Sequence, residues 1–142
     1  MEIKPTTILR HVVDSDSTFI RQCLKESDVT FLSQKFIDKL TSCEDWIYNA
    51  LRSTEEEIFL IHHRKEKELV PVGVLNLHSI DFDLETAEMS MVIMRKHCSI
   101  GHGRRSREQL SEYALQIMGL DETKITIHHA NIPALKSVKK RD

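Results

Sequence analysis

The residues with the clearest chemistry lie between Arg95 and Arg107. Cys98-Ser99-Ile100-Gly101-His102-Gly103 joins a strand-like run to a helix-like one and carries two of the chain's four glycines. Amides at the start of a helix lack an intrahelical acceptor, and the helix dipole adds partial positive charge there. Glycine lets such a backbone come close to an anion, so the pattern fits a diphosphate held by main-chain N–H groups. Arg95, Lys96, Arg104, Arg105 and Arg107 surround the loop and could neutralise phosphate, arginine through forked hydrogen bonds. Two close glycines also make ordinary turns, and the cations also suit a solvated face. Spacing excludes two phosphate loops. No G-x-x-x-x-G-K-[ST] is present, and Ser106 stands where a dinucleotide fingerprint needs glycine or alanine.

Other reactive groups carry less. His62-His63 and His128-His129 are adjacent pairs, and neighbours on a strand point to opposite faces, so neither pair chelates one ion easily. Cys98 with His97 and His102 has no second cysteine or carboxylate cluster beside it, and no metal site is assigned. Cys98 as a nucleophile would need a lowered pKa, which a helix N-terminus supplies, and a base such as His97 or His102. The lysines and arginine from Lys136 to Arg141 read as a solvated helix face.

The elements that position these residues follow from periodicity. Thr7 to Val12 reads as a strand. Asp14 to Asp16 offer helix caps, and Phe19, Ile20, Cys23 and Leu24 are helix-spaced over 16–26. Phe31 to Leu40 is ambiguous. Ser42 can cap a helix carrying Trp46, Ile47, Ala50 and Leu51. Ile58–His62 and Val70–Ile80 flank a charged turn as a hairpin, with Pro71 and Gly73 predicting a bulge. Ala87 to Ile93 is the next strand. Arg104 to Leu120 is the clearest helix, with Leu110, Tyr113, Ala114, Ile117 and Met118 on one face. Lys124 to His128 is a short strand, and Asn131 caps a last helix with Pro133 in its first turn. Hairpins predict antiparallel pairing, and the strand–helix–strand unit over 87–128 predicts a parallel pair.

Composition bounds the reading. The 142 residues suit a single domain, 1–142, with its own core. Net charge is −2, so no global field draws nucleic acid or an anionic membrane, and no apolar run reaches spanning length. Three cysteines without a CxxC, and no export signature, point to a reducing cytoplasm.

Four pieces in order resemble the GNAT acetyltransferases, in the branch of ribosomal-protein N-terminal and spermidine acetyltransferases. They are Val72-Gly73-Val74-Leu75, Ala87-Glu88-Met89-Ser90-Met91-Val92-Ile93, the loop opened by Cys98, and Asn131-Ile132-Pro133-Ala134. The resemblance implies the GNAT fold, an α/β mixed sheet with acetyl-CoA held between two parallel strands. It implies that amides across Ser99, Ile100, Gly101, His102, Gly103 and Arg104, with Cys98 opening the loop, hold the diphosphate. Backbone atoms of Val92, Ile93 and Met94 would pair with the pantetheine arm, and Asn131 would contact the cofactor or order its loop. The reaction implied is direct attack of a primary amine (a protein N-terminus, a polyamine or another small amine) on the thioester, with Glu88 as general base. The acidic loop Asp81, Asp83 and Glu85 could attract a cation.

The sequence also departs from the family pattern. Cys98, Ser99 and Ile100 replace the usual side chains, though any non-proline residue keeps its amide. Val138 stands where many relatives place a tyrosine acid, and Tyr113 reads as core. The chain ends at Asp142, where relatives continue into two more strands. The expectation is therefore a C-terminally truncated GNAT fold lacking the last two strands, with the edge at 124–128 open. A second copy covering that edge as a homodimer would protect it. These departures suit a second reading, a degenerate domain that binds CoA or a protein partner without catalysis.

Overall fold

A β-sheet needs runs that can bury one or both faces, and the described residues supply five of them. In the computed structural model, which describes residues 6–26, 39, 42–97 and 101–125, these are β1 (Thr7–His11), β2 (Glu57–Lys65), β3 (Glu68–Asp81), β4 (Thr86–Ile93) and β5 (Glu122–Ile125). They form one sheet in the order β1-β2-β3-β4-β5. The first three pairings are antiparallel, while β4 and β5 are parallel, with Thr86 opposite Glu122 and Met89 opposite Ile125. The described helices are α1 (Ser17–Glu26), α2 (Cys43–Ala50) and α3 (His102–Gln116). This is the mixed α/β architecture expected from the sequence.

The two faces of the sheet build two cores. Val74 and Val92 pack with Ile20, Leu24, Trp46 and Ile47 under α1 and α2. Leu75, Ala87 and Met89 pack with Leu110 and Ala114 under α3. The alternation along β4 follows from the period of two in a strand. Leu24 and Leu110 are fully buried, and each such side chain contributes about 2 kcal/mol on leaving water.

Local chemistry sets the element ends. Asp14–Asp16 form a 3₁₀ turn, and Asp16 accepts the Val13 amide at 2.8 Å while holding the Arg10 guanidinium at 2.9 and 3.1 Å. Ser42 precedes α2 as expected and its carbonyl accepts from the Trp46 amide, but its hydroxyl makes no capping bond. The bulge predicted at Pro71 and Gly73 is present, since Ile61 faces Gly73 while His62 faces Pro71. Gly73 is required for packing: a Cβ there would stand 2.5 Å from the Val92 carbonyl oxygen.

Two expectations about the long helix are corrected. It starts at His102, because Gly101 takes the left-handed conformation (φ +94°) that caps it. It ends at Gln116, where Gly119 (φ +75°) turns the chain and the Leu120 amide reaches back to the Ala114 carbonyl. Ile117, placed on the inner face by periodicity, therefore lies past the helix and is 73% exposed. β5 begins two residues before the expected strand, at Glu122. The ambiguous segment around Phe31 and the proposed last helix at Asn131 lie outside the described residues, as does the tail beyond Ile125.

Candidate active site

The N-terminus of α3 is built on Gly101. Its left-handed backbone lets the chain turn into the helix, and the first intrahelical bond runs from the Arg105 amide to the Gly101 carbonyl at 3.1 Å. The amides of His102, Gly103 and Arg104 occupy the first turn, where an α-helix offers no acceptor. Gly103 brings that turn against β4, for a Cβ there would lie 3.1 Å from Met91 Cε. These features fit an anion such as a diphosphate at the helix end. Cys98, Ser99, Ile100 and Asn131 lie outside the described residues.

A buried polar network fastens this turn to the far edge of the sheet. His102 is 1% exposed, with Nδ1 2.9 Å from Thr7 Oγ1 and Nε2 3.1 Å from His63 Nδ1. Arg105 Nε donates to the same Thr7 hydroxyl at 2.7 Å, and Gln109 donates to the Thr7 carbonyl at 2.9 Å. Burial lowers the pKa of His102 to about 4, and His63, Arg105 and His97 press in the same direction. His102 is thus a neutral ring with both nitrogens engaged, which removes it as a base for Cys98.

The cations divide. Arg105 turns inward, its guanidinium packed over Gly101. Arg107 is buried. Arg104 is exposed and pairs with Glu108 at 3.1 Å, while Lys96 is exposed. Arg107 thus belongs to the protein interior, while Arg105 is half-buried with its guanidinium against Gly101.

The expectation for Val92, Ile93 and Met94 is also refined. Met94 donates its amide to the Val72 carbonyl and accepts from the His97 amide, both at 2.8 Å. By strand parity the peptide groups of Val92 face β3 as well. Among the three, only Ile93 turns its peptide groups toward the β5 side.

On the α1/α2 face, β3–β4 pairing sets His78 opposite Glu88 and Asn76 opposite Ser90. His78 Nε2 lies 2.9 Å from Ser90 Oγ, and Nδ1 lies 3.3 Å from Ser79 Oγ and 3.9 Å from Glu88 Oε2. The Glu88 side chain is half-exposed, whereas that of His78 is 14% exposed. Nearby, Glu56 accepts from Trp46 Nε1 at 2.9 Å and from Asn76 Nδ2 at 3.0 Å. His78 and Ser90 were not found by sequence reasoning. Each reads as an ordinary strand residue until the register brings them together.

The remaining candidates fall away from the site. His62 and His63 point to opposite faces, as the strand period requires: His62 is buried near Arg10 and Asp16, and His63 meets His102. Tyr113 packs on Phe59, and its hydroxyl donates to Glu57 at 3.1 Å. Burial first, and then Glu57, raise its pKa. Among the described residues, Cys23 and Cys43 are buried, no group of three or more His, Cys, Asp or Glu could hold a metal, and no helix is long and apolar enough to cross a membrane.

A family model described as an acetyltransferase (GNAT) domain matches residues 6–141, and the chain belongs to that family. Among solved structures, a chimera of spermidine N-acetyltransferase SpeG from Vibrio cholerae and hSSAT aligns with a TM-score of 0.80. It shares 19% identity, over 96% of this chain and 79% of that one. Dodecameric spermidine N-acetyltransferase from Vibrio cholerae aligns at 0.73 with 18% identity, over 95% of this chain and 77% of that one. The manganese complex of SpeG from the same organism aligns at 0.71 with 19% identity, over 95% and 76% of the two chains. At these identities the likeness is one of fold. No curated protein matches the chain.

Proposed function

We propose that the protein transfers an acetyl group from acetyl-CoA to a primary amine by direct attack. The observation that carries this reading is the first turn of α3, opened by left-handed Gly101 and set against β4 by Gly103. The amides of Gly101, His102, Gly103 and Arg104 would hold the diphosphate, with those of Ser99 and Ile100 continuing the loop. The end of β4 at Ile93 would lie alongside the pantetheine arm. From Ile93 back to Glu88 the strand runs ~17 Å, a span of the order of an extended pantetheine arm. Glu88 would then stand near the thioester, half-exposed and able to meet an incoming ammonium group. The bound cosubstrate supplies an activated acyl carbon; the chain supplies position, amide dipoles and a route for the proton.

Polyamines head the list of acceptors because the aligned relatives are named for spermidine. Self-assembly accords with the dodecameric relative. A cytoplasmic setting accords with the free, buried thiol of Cys43.

Two measurements test the reading. Calorimetry should detect acetyl-CoA binding. A panel of spermidine, small primary amines and peptides with free N-termini, followed by thiol release, should find turnover. Binding with silence across the panel would favour a CoA-binding domain without catalysis, and absence of binding would overturn both readings.

A further inference from the structure

We infer that His78 holds the proton leaving the acceptor amine, acting behind Glu88, with Ser90 fixing its ring. The inference rests on the acetyltransferase reading and deepens it. Three observations point the same way. His78 is largely buried yet stands 3.9 Å from a half-exposed carboxylate, Glu88, so a shielded base adjoins a group that reaches solvent. Its other ring nitrogen lies 2.9 Å from Ser90 Oγ, and Ser90 is itself buried, so the ring orientation is set. The strand then breaks register between His78 and Asp81, and Ser79 adopts a left-handed backbone at φ +51°. A non-glycine residue in that region is strained, and bulges of this kind re-aim side chains beside functional sites.

The proton balance is simple. The amine arrives as ammonium at the Glu88 carboxylate. Its N–H bond breaks, the Glu88 carboxylate takes the proton and, on closing the 3.9 Å gap to a hydrogen bond, passes it to Nδ1 of His78, while Nε2–H donates to Ser90. The freed nitrogen lone pair forms the C–N bond as the C–S bond breaks. The thiolate takes the second nitrogen-bound proton, and the imidazolium returns its proton to solvent through Glu88. A histidine suits this storage because its unperturbed pKa lies near neutrality, above that of a carboxylate. Glu88 on β4 meets its ring; nearby, Lys124 on β5 stands opposite Glu88, Glu56 ahead of β2 holds Asn76, the Glu55 carbonyl accepts the Ile80 amide, and Asp81 follows on its own strand.

His78 is a positioning and proton-holding residue, so its test needs a readout beyond rate. In the free protein, nuclear magnetic resonance should follow the His78 imidazole against pH. Glu88→Gln should lower its midpoint, and added spermidine should shift its signals in the wild type. In turnover, His78→Gln should lower kcat about 100-fold and remove an inflection from the pH profile. The KM for acetyl-CoA should stay unchanged. Ser90→Ala should weaken kcat without abolishing that inflection. An imidazole indifferent to Glu88→Gln, or an inflection that survives His78→Gln, would overturn the inference. So would acetyl-Ser90 found by mass spectrometry, which would make Ser90 a nucleophile. Loss of acetyl-CoA binding in the wild type would instead sink the acetyltransferase reading itself. No turnover of any amine would overturn the proton role and leave a binding domain.

Discussion

His102 Nδ1 stands 2.9 Å from Thr7 Oγ1, although 95 residues separate them in sequence. The contact ties the first turn of α3 to β1, across the sheet from β4. Thr7 is 1% exposed and also receives Arg105 Nε, so one hydroxyl anchors two residues of the helix that would hold the diphosphate. Thr7→Val keeps the shape but removes the hydroxyl that buried His102 Nδ1 meets. It should lower stability by about 1–3 kcal/mol in urea unfolding and weaken acetyl-CoA binding in calorimetry. Thr7→Ser should restore both, since it keeps the hydroxyl.

The same network makes stability depend on pH. His102 is held at about 4 in the folded protein, against 6.5 for the ordinary group, because burial and neighbouring His63 and Arg105 disfavour its charge. The unfolded chain therefore binds more protons between those values. The stabilisation is complete above pH 6.5 and is lost as pH falls toward 4, on the order of 3 kcal/mol for this group. Burial lowers His62 and His97 as well, with the same sign. Asp16 titrates in a different window. Burial alone would raise its pKa, but Arg10 and the Val13 amide outweigh that and lower it, so its contribution fades only below 3.8. Urea midpoints at pH 7.5 and pH 5 should differ clearly in the wild type, and His102→Gln should flatten the difference.

Gly73 lets β3 and β4 approach, and its neighbours there are backbone. An added Cβ would meet the Val92 oxygen at 2.5 Å and Ile93 Cα at 3.2 Å. Neither can rotate away, so Gly73→Ala must push the strands apart. The expected loss is about 1–3 kcal/mol, read as a lower urea midpoint, together with weaker acetyl-CoA binding because Ile93 is displaced. An unchanged midpoint would mean that the strands yield without cost.

Much of this arrangement was written in local pattern. Apolar β-rich runs around Leu60, Leu75 and Met89 announced their strands, and Pro71 with Gly73 announced the bulge. Gly101 marked the helix start, because its need acts within a few residues, whereas Gly103, read as loop, lies in the first turn against distant Met91. What stayed hidden depends on register and on distant partners. Arg105 looks like any other arginine near the loop until Thr7 arrives from β1. His78 gains meaning only opposite Glu88. Ile117 keeps the helical period after the helix has stopped, since periodicity does not see the turn that Gly119 makes. The Met94 amide was expected for the cofactor because the sequence does not show that Val72 already accepts it.

Tyr113 provides a check on which hydroxyl matters. It donates to Glu57 at 3.1 Å and packs edge-on against Phe59, its rings 5.8 Å apart, on the α3 side of the sheet. Glu88, His78 and Ser90 lie on the opposite face. Tyr113→Phe should therefore cost about 1 kcal/mol of stability while leaving kcat within about twofold. A large fall in kcat with unchanged stability would place the hydroxyl in the reaction instead.

Gly103→Pro tests the helix end most directly. Position 103 lies in the first turn, where proline's missing N–H breaks no intrahelical bond, so the helix can survive the change. The substitution removes one amide from those assigned to the diphosphate and adds a ring beside Met91. A hydrogen bond to a charged group contributes about 1.5–3 kcal/mol, so acetyl-CoA affinity should fall at least ~10-fold. Gly103→Ala is the control. It keeps the amide, and its Cβ meets only the movable end of Met91, 3.1 Å away. Alanine should bind nearly as the wild type does and proline should not, with circular dichroism confirming that both variants fold. Equal affinity in all three proteins would remove the Gly103 amide from the site.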